Sequence, residues 1–401
     1  MVGRVLKAFQ YRDFRLLWFG SCTSSVGTWM QKLAQSWLVL QISGSPFLLG
    51  LDAFLGEIPI FLFSLIGGVV ADRMDRRHIL LGSQFVQMSC AFTLTGLIVF
   101  EVVEVWHILM LSFVAGFAQA FGGPASQALI PSLVKSEDLS NAIALNSIQF
   151  NLARVIGPML GGLALTKLGA AWCFGLNGLS FVAVIISLFM LHVRFNPQAT
   201  GESILGSMKQ GIAFIRRQGT MEALIALAFS MTVLGIPLIV FLPVFARDVF
   251  HQGPSTYTLL LSISGAGSVV GALVVAAMGN IRRKGRAALL MLAGLGASMA
   301  GFSLSESLPL SCVLLFLSGA ALVSVFSLIT SLVQLITSDE MRGRVMSVYN
   351  VAFRGGMPIG SLVTGWLVPR FYAPTVLACH GALLALLAVY FLVGYRKVAR
   401  L

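Results

Sequence analysis

The sequence predicts an all-α membrane protein of twelve transmembrane helices, arranged as two pseudo-symmetric six-helix bundles. Three observations carry that prediction: composition, the spacing of apolar stretches, and an internal repeat. Of the 401 residues 57% are apolar and only 10% charged, with a mean hydropathy of +0.90. A water-soluble globule carries about 25% charged residues. A chain this poor in charge has too little polar surface to face water, so its solvent is largely lipid. Twelve spans of about 20–25 residues fill most of the length.

The spans are expected near 14–41, 46–71, 79–100, 105–130, 141–167, 170–192, 220–246, 256–279, 287–305, 308–337, 343–369 and 373–395. Pro131, Gly169, Pro254, Pro309 and Pro374 stand at or near the turns between them. The longest polar connection, 193–219, holds Leu205, Met208, Ile212 and Ile215 at helical spacing, with Lys209, Arg216 and Arg217 among them. That pattern predicts an amphipathic helix in the membrane interface, drawn to anionic lipid. It divides the chain into bundles 1–192 and 220–401, with 193–219 as linker.

The halves repeat. Ser147, Arg154 and Pro158 recur 200 positions later as Ser347, Arg354 and Pro358, each set following a short acidic loop, Glu137–Asp138 and Asp339–Glu340. Matched at the same place in the span order, they point to duplication of a six-helix unit, a common transporter architecture.

The charge of +12 reflects orientation rather than nucleic acid. Of the 27 Lys and Arg, Lys167, Arg247 and Arg370 fall near the outer face. Lys32, Arg154 and Arg354 fall within spans, leaving 21 on one side if the N-terminus is cytoplasmic. This is the positive-inside pattern, and it expects both termini in the cytoplasm of a bacterial inner membrane. The first apolar stretch is too long for a cleavable signal peptide. Cys22, Cys90, Cys173, Cys312 and Cys379 are scattered, with no metal-ligand spacing. No cofactor or metal is expected, and a monomer is.

The second cytoplasmic loop carries a signature. The stretch GVVADRMDRR, from Gly68 to Arg77, resembles the motif between helices two and three of the major facilitator superfamily, with Asp75 where that motif has glycine. Gly68 permits close approach of a neighbouring helix. Asp72 stands at a helix C-terminus, where the macrodipole disfavours an anion, so it needs an outside partner. The resemblance implies that the partner is helix eleven and that Asp72, Arg73, Arg76 and Arg77 latch a cytoplasmic gate. An ordinary basic loop is the plainer reading. The counterpart in the second half is degenerate, with Asn280 before Arg282, Arg283 and Lys284.

In helix five Ala153, Gly157, Pro158, Gly161 and Gly162 resemble the motif of antiporters in that superfamily, with alanine for its first glycine. Glycines bring helices close and proline weakens a helix, giving a bendable seam. A packing face without directional meaning is the alternative. WMQKLAQSWLVLQISGSP at 29–46, GPASQALIPSLV at 123–134 and DEMRGRVMSVYN at 339–350 are similar to the branch containing the enterobactin exporter and macrolide-efflux proteins. The resemblance spans nearly the whole chain. It implies export of a small amphipathic molecule (a siderophore, a macrolide or another drug-like compound) by alternating access, with proton antiport as the drive.

Ionisable groups inside hydrocarbon are costly and therefore functional candidates. Lys32 lies well within span one, where Gln31 and Gln35 share its polar face with Ser24 and Thr28; cavity lining competes there with a snorkelling or structurally paired lysine. Glu57 is the deepest carboxylate, about 22 Å before Asp72 along its helix; Asp52 lies nearer the surface. A carboxylate in a low-dielectric site can exchange protons near neutral pH. The competing role for Glu57 is an ion pair with Lys32 or Arg154 that holds helices together. Arg154 and Arg354, always charged, serve either as cargo or relay partners or as braces bonding carbonyls of a bent helix beside the Pro-containing seam. Gln119, Gly123 and Gln127 on helix four, and Ser324, Ser327, Ser331 and Gln334 on helix ten, form small polar stripes that also suit packing. Trp29, Trp37 and Phe121 offer aromatic surface.

No HExxH, GxxxxGK or Ser–His–Asp arrangement indicates an enzyme, and His380 is read as packing. An importer or lipid flippase on the same fold, or a receptor or scaffold that transports nothing, remains compatible with these residues.

Overall fold

The computed structural model of the chain describes residues 6–192, 204–279 and 283–401, and among these there is no β-strand. Twelve long helices run through the described residues. They are α1 (Arg12–Ser43), α2 (Pro46–Arg73), α3 (Arg76–Val99), α4 (Val105–Leu129), α5 (Leu139–Lys167) and α6 (Ala170–Phe189), followed by α7 (Gly219–Gly235), α8 (Pro254–Met278), α9 (Lys284–Leu304), α10 (Leu308–Ile336), α11 (Asp339–Phe371) and α12 (Ala373–Val389). Nine of the helices in the described residues are long and apolar enough to cross a membrane. The other three, α1, α3 and α11, have 32, 24 and 33 residues and so the length to span. Polar residues lower their hydropathy: Lys32 with Gln31 and Gln35 in α1, Gln84 and Gln87 in α3, Arg354 and Arg370 in α11. Large apolar side chains such as Leu163, Leu273 and Leu386 stand exposed on their helices, as a surface facing lipid requires.

The expected spans match these helices to within a few residues, with physical reasons for the exceptions. The seventh was expected to run unbroken to 246. Instead α7 ends at Gly235, followed by the short pieces Pro237–Val240 and Leu242–Val244 and a π-turn, Phe245–Val249. Pro237 and Pro243 lack the N–H that a continuous ladder needs. Helix α12 also ends in a π-turn, Tyr390–Gly394. Helix α11 begins earlier than expected, because Asp339 and Glu340 suit the positive end of a helix.

Asp75, in place of the usual glycine, does not strain its turn. Its backbone is extended (φ −61°, ψ 112°) and its carboxylate accepts the Arg77 N–H, capping α3 at 2.9 Å.

The described chain forms two compact units. Unit 1 takes in the residues up to Ser43 and from Leu55 to His192; unit 2 takes in Gly44–Phe54 and the residues from Ile204 onward. The boundaries differ from those expected at 192 and 220. Gly44–Phe54 joins unit 2 because Gly50 lies against the Ser361 carbonyl and Gly365 of α11, an approach that only small residues allow. The predicted amphipathic helix is present as Ile204–Arg217. It belongs to unit 2 and lies on α11, with Gly211 against the Arg344 carbonyl and Ile215 buried. The side chain of Leu205, the rest of the linker from 193 to 203, and Asn280 and Arg282 lie outside the described residues.

Each unit is held by one scheme of contacts. In unit 1, α1 packs on α5 and α6, and α3 on α4 and α6. In unit 2, α7 packs on α11 and α12, and α9 on α10 and α12. Helix α2 meets α4 where Gly67 faces the Ala120 carbonyl and Gly116 the Gly56 carbonyl; α8 meets α10 where Gly271 faces the Ala320 carbonyl and Gly319 the Ser264 carbonyl. The second set is the first advanced by six helices.

Candidate functional site

The turn joining α2 to α3 works through its arginines. Arg76 donates from Nη1 to the Ala128 carbonyl at 2.8 Å and from Nε to the Ala71 carbonyl at 3.2 Å. Arg77 donates from Nη2 to the Phe189 carbonyl at 2.8 Å and from Nη1 to the Leu191 carbonyl at 3.3 Å. A helix end leaves four carbonyls without intrahelical donors. These two arginines supply charge-assisted donors to the ends of α2, α4 and α6. Asp72, at the end of α2, has Arg76 as its ion-pair partner, at 3.6 Å, while Arg73 is exposed. A Cβ added at Gly68 would meet nothing within 4 Å, so the glycine that allows close packing here is Gly67, against Ala120.

The same end of unit 1 holds a cluster around Asp138, which in the sequence is marked only by the short acidic loop Glu137–Asp138. Asp138, 1% exposed, accepts from Lys7 Nζ at 2.7 Å, Tyr11 Oη at 2.8 Å and Gln10 Nε2 at 2.9 Å. The Ala8 N–H donates to Asn141 Oδ1 at 2.8 Å. Together these bonds strap the N-terminal 3₁₀ turn, Lys7–Gln10, to the start of α5. The hydrogen bond and charge of Asp138 hold the Lys7 ammonium above its ordinary value of 10.5.

The glycine-rich stretch of α5 is a seam with α1. A Cβ at Gly157 would lie 2.5 Å from Trp29 Cβ and 2.8 Å from the Val26 carbonyl, and one at Gly161 would lie 2.9 Å from Met30 Cα. Ala153, Pro158 and Gly162 are buried. Pro158 leaves the Arg154 carbonyl without its helical donor, yet α5 stays continuous. In unit 2, Gly356 and Gly360 of α11 lie against Phe229, Thr232 and Val233 of α7 in the same way.

Beside the seam the polar face of α1 reaches its neighbours. Gln31 accepts from Asn177 Nδ2 of α6 at 2.6 Å, and Gln35 donates to Ser112 Oγ of α4 at 2.9 Å. Gln149 of α5 donates to Ser25 Oγ at 2.7 Å. Asn177 and Gln149 were missed by sequence reasoning, although a lone asparagine in the apolar run of α6 signals a helix contact. Lys32 Nζ stands 5.3 Å, and Arg154 Cζ 5.7 Å, from the centre of the Trp29 ring.

Glu57 is half-buried, and among the described residues no hydrogen bond or ion pair reaches it. The ion pair with Lys32 or Arg154 considered from the sequence is therefore not formed. Nor does either arginine brace a carbonyl: Arg154 has its ring contact, and Arg354 is exposed on α11. Asp52 is buried, within the part of α2 that belongs to unit 2.

The stripes on helices four and ten divide. Gln119 accepts from Gln87 Nε2 at 3.3 Å and Gln127 is exposed. Ser324 is spent on packing, donating to the Gly271 carbonyl of α8 at 3.2 Å. Ser327 and Ser331 are half-buried and Gln334 exposed, with no bonds to other described side chains. Among the described residues no group of His, Cys, Asp and Glu is placed to hold a metal.

The family model described as transmembrane secretion effector matches residues 5–399. Macrolide efflux protein A of Streptococcus pyogenes is 23% identical over 390 residues, covering 94% of each chain. Enterobactin exporter EntS of Shigella boydii is 27% identical over 358 residues, covering 88% of this chain and 85% of that one. The crystal structure of nucleoside transporter NupG superposes with a TM-score of 0.75 at 14% identity, over 96% of this chain and 100% of that one. That likeness speaks to the fold alone.

Proposed function

The chain belongs to the transmembrane secretion effector family of the major facilitator superfamily, and on that premise we propose that it exports a small amphipathic molecule in exchange for protons. It is a multi-pass membrane transporter. The observation that carries the antiport reading is Glu57, a half-buried carboxylate in a membrane helix with no bonding partner among the described residues. A structural carboxylate inside a membrane is ordinarily paired. We therefore assign the coupling role to this unpaired carboxylate.

Export as the direction draws support from the relatives, which are named for efflux of macrolides and export of enterobactin. The likeness of Ala153, Gly157, Pro158, Gly161 and Gly162 to the antiporter motif points the same way. In this reading Asp72 and the basic turn latch the cytoplasmic gate. Arg76 and Arg77 stiffen the turn, and Asp72 exchanges its bond to Arg76 for a partner across the gate as the cycle proceeds. Both termini lie in the cytoplasm of a bacterial plasma membrane, consistent with the 21 cations on that side.

The test is uptake into inverted membrane vesicles of a panel of siderophores and macrolides. Accumulation of at least one compound that collapses with a protonophore is expected. Accumulation indifferent to the gradient contradicts antiport, and uptake only into right-side-out vesicles contradicts export.

A further inference from the structure

We propose that Trp29, Lys32 and Arg154 form an anion-binding site in unit 1, and that it takes an aromatic organic anion, an aryl carboxylate in the simplest case. That this anion is cargo rests on the export reading; that the site binds it does not.

Two cations share one ring. The ammonium of Lys32 and the guanidinium of Arg154 stand 5.3 Å and 5.7 Å from the Trp29 centroid. Neither has a hydrogen bond or an ion pair among the described residues. The ion pairs of unit 1, among the described residues, join Lys7 to Asp138, Arg12 to Asp13, Arg76 to Asp72 and His78 to Asp75. All four lie at the ends of α1, α2, α3 and α5, far along the helices from Trp29. The ring face offers each cation a weak attraction. It neutralises neither, and the two charges repel one another. Arg154 is half-buried, and a charge withdrawn from bulk water is stable when paired; here the described residues supply it no anion.

The site's chemistry defines what would complete it. A guanidinium presents a planar fork that matches a carboxylate with two parallel bonds, and an ammonium adds a point charge. Trp29 and Phe150, whose rings meet edge-on at 6.4 Å, provide flat apolar surface for an aromatic body. The same two charges repel a cation, so the site discriminates by repulsion as well as by attraction.

The experiment is equilibrium dialysis of radiolabelled 2-naphthoate and its neutral isostere 2-naphthamide against the full chain in phosphatidylcholine nanodiscs, with empty discs subtracted. The wild type is expected to bind naphthoate at least about tenfold more tightly than naphthamide. Lys32→Gln and Arg154→Gln each shrink that preference severalfold, while Arg154→Lys keeps part of it. Equal affinity for acid and amide in the wild type, no saturable naphthoate binding, or an unchanged preference in Lys32→Gln overturns the proposal. Lys32 is exposed, so its variant keeps the test decisive if Arg154→Gln does not fold. A wild type without the acid preference that still exports from vesicles loses the site and keeps the export reading. Absence of export with the preference intact removes the export reading and leaves the site.

Discussion

Arg77 at the start of α3 donates to the carbonyl of Phe189 at the end of α6 at 2.8 Å, and through its other terminal nitrogen to Leu191 at 3.3 Å. One side chain of the basic turn thus closes the end of a helix 112 residues away in sequence. The neighbouring Arg76 does the same for α4 at Ala128. The turn is a structural clamp for unit 1 whatever else it does in transport.

Arg77→Ala is expected to destabilise the protein by about 1 kcal/mol, since charged hydrogen bonds to carbonyls are lost and water replaces them only in part. Arg73→Ala, at an exposed position, is expected to stay within about 0.5 kcal/mol of wild type. Thermal unfolding in detergent compares the two.

The glycines of the signature and the seam separate in the same assay. Gly157→Ala drives a methyl to within 2.5 Å of Trp29 Cβ and is expected to cost about 1–3 kcal/mol by overpacking. Gly68→Ala adds its methyl to open space and is expected to leave stability unchanged. A destabilised Gly68→Ala would mean that this glycine packs closely in another conformation of the cycle.

Most of the fold was legible in the sequence because lipid enforces long apolar helices, and the ends of such helices are marked by charge and proline. The break in α7 had its signal in Pro237 and Pro243, which an apolar window averages away. The site was legible as a set of residues and not as a set of partners. Lys32 and Arg154 stand out as charges in apolar runs; Lys32 neighbours Trp29 along α1, but only packing of α5 on α1 brings Arg154 to the same ring. Gly67 and Gly68 are indistinguishable in sequence, and the register of α2 on α4 decides which one packs. Asp138 looked like an ordinary loop acid, since nothing local indicates that residues 7–11 fold back onto it.

That strap gives a pH dependence. Lys7 is held above its ordinary value of 10.5 by Asp138. A cation with a raised folded-state value contributes stability that is fully present below the unfolded value and is lost as pH rises through the folded one. The difference in unfolding temperature between wild type and Lys7→Met is therefore expected to hold steady from pH 7 to about pH 9 and to shrink above about pH 10.5. A difference unchanged at high pH would show that the lysine acts through its stem and not its charge.

The most direct measurement is on Glu57→Gln in reconstituted vesicles, using whichever compound the wild type exports. If Glu57 carries the proton, the variant loses gradient-driven accumulation and still exchanges labelled for unlabelled cargo when no gradient is applied. Full gradient-driven accumulation by Glu57→Gln contradicts the account and removes Glu57 from the coupling of protons to export.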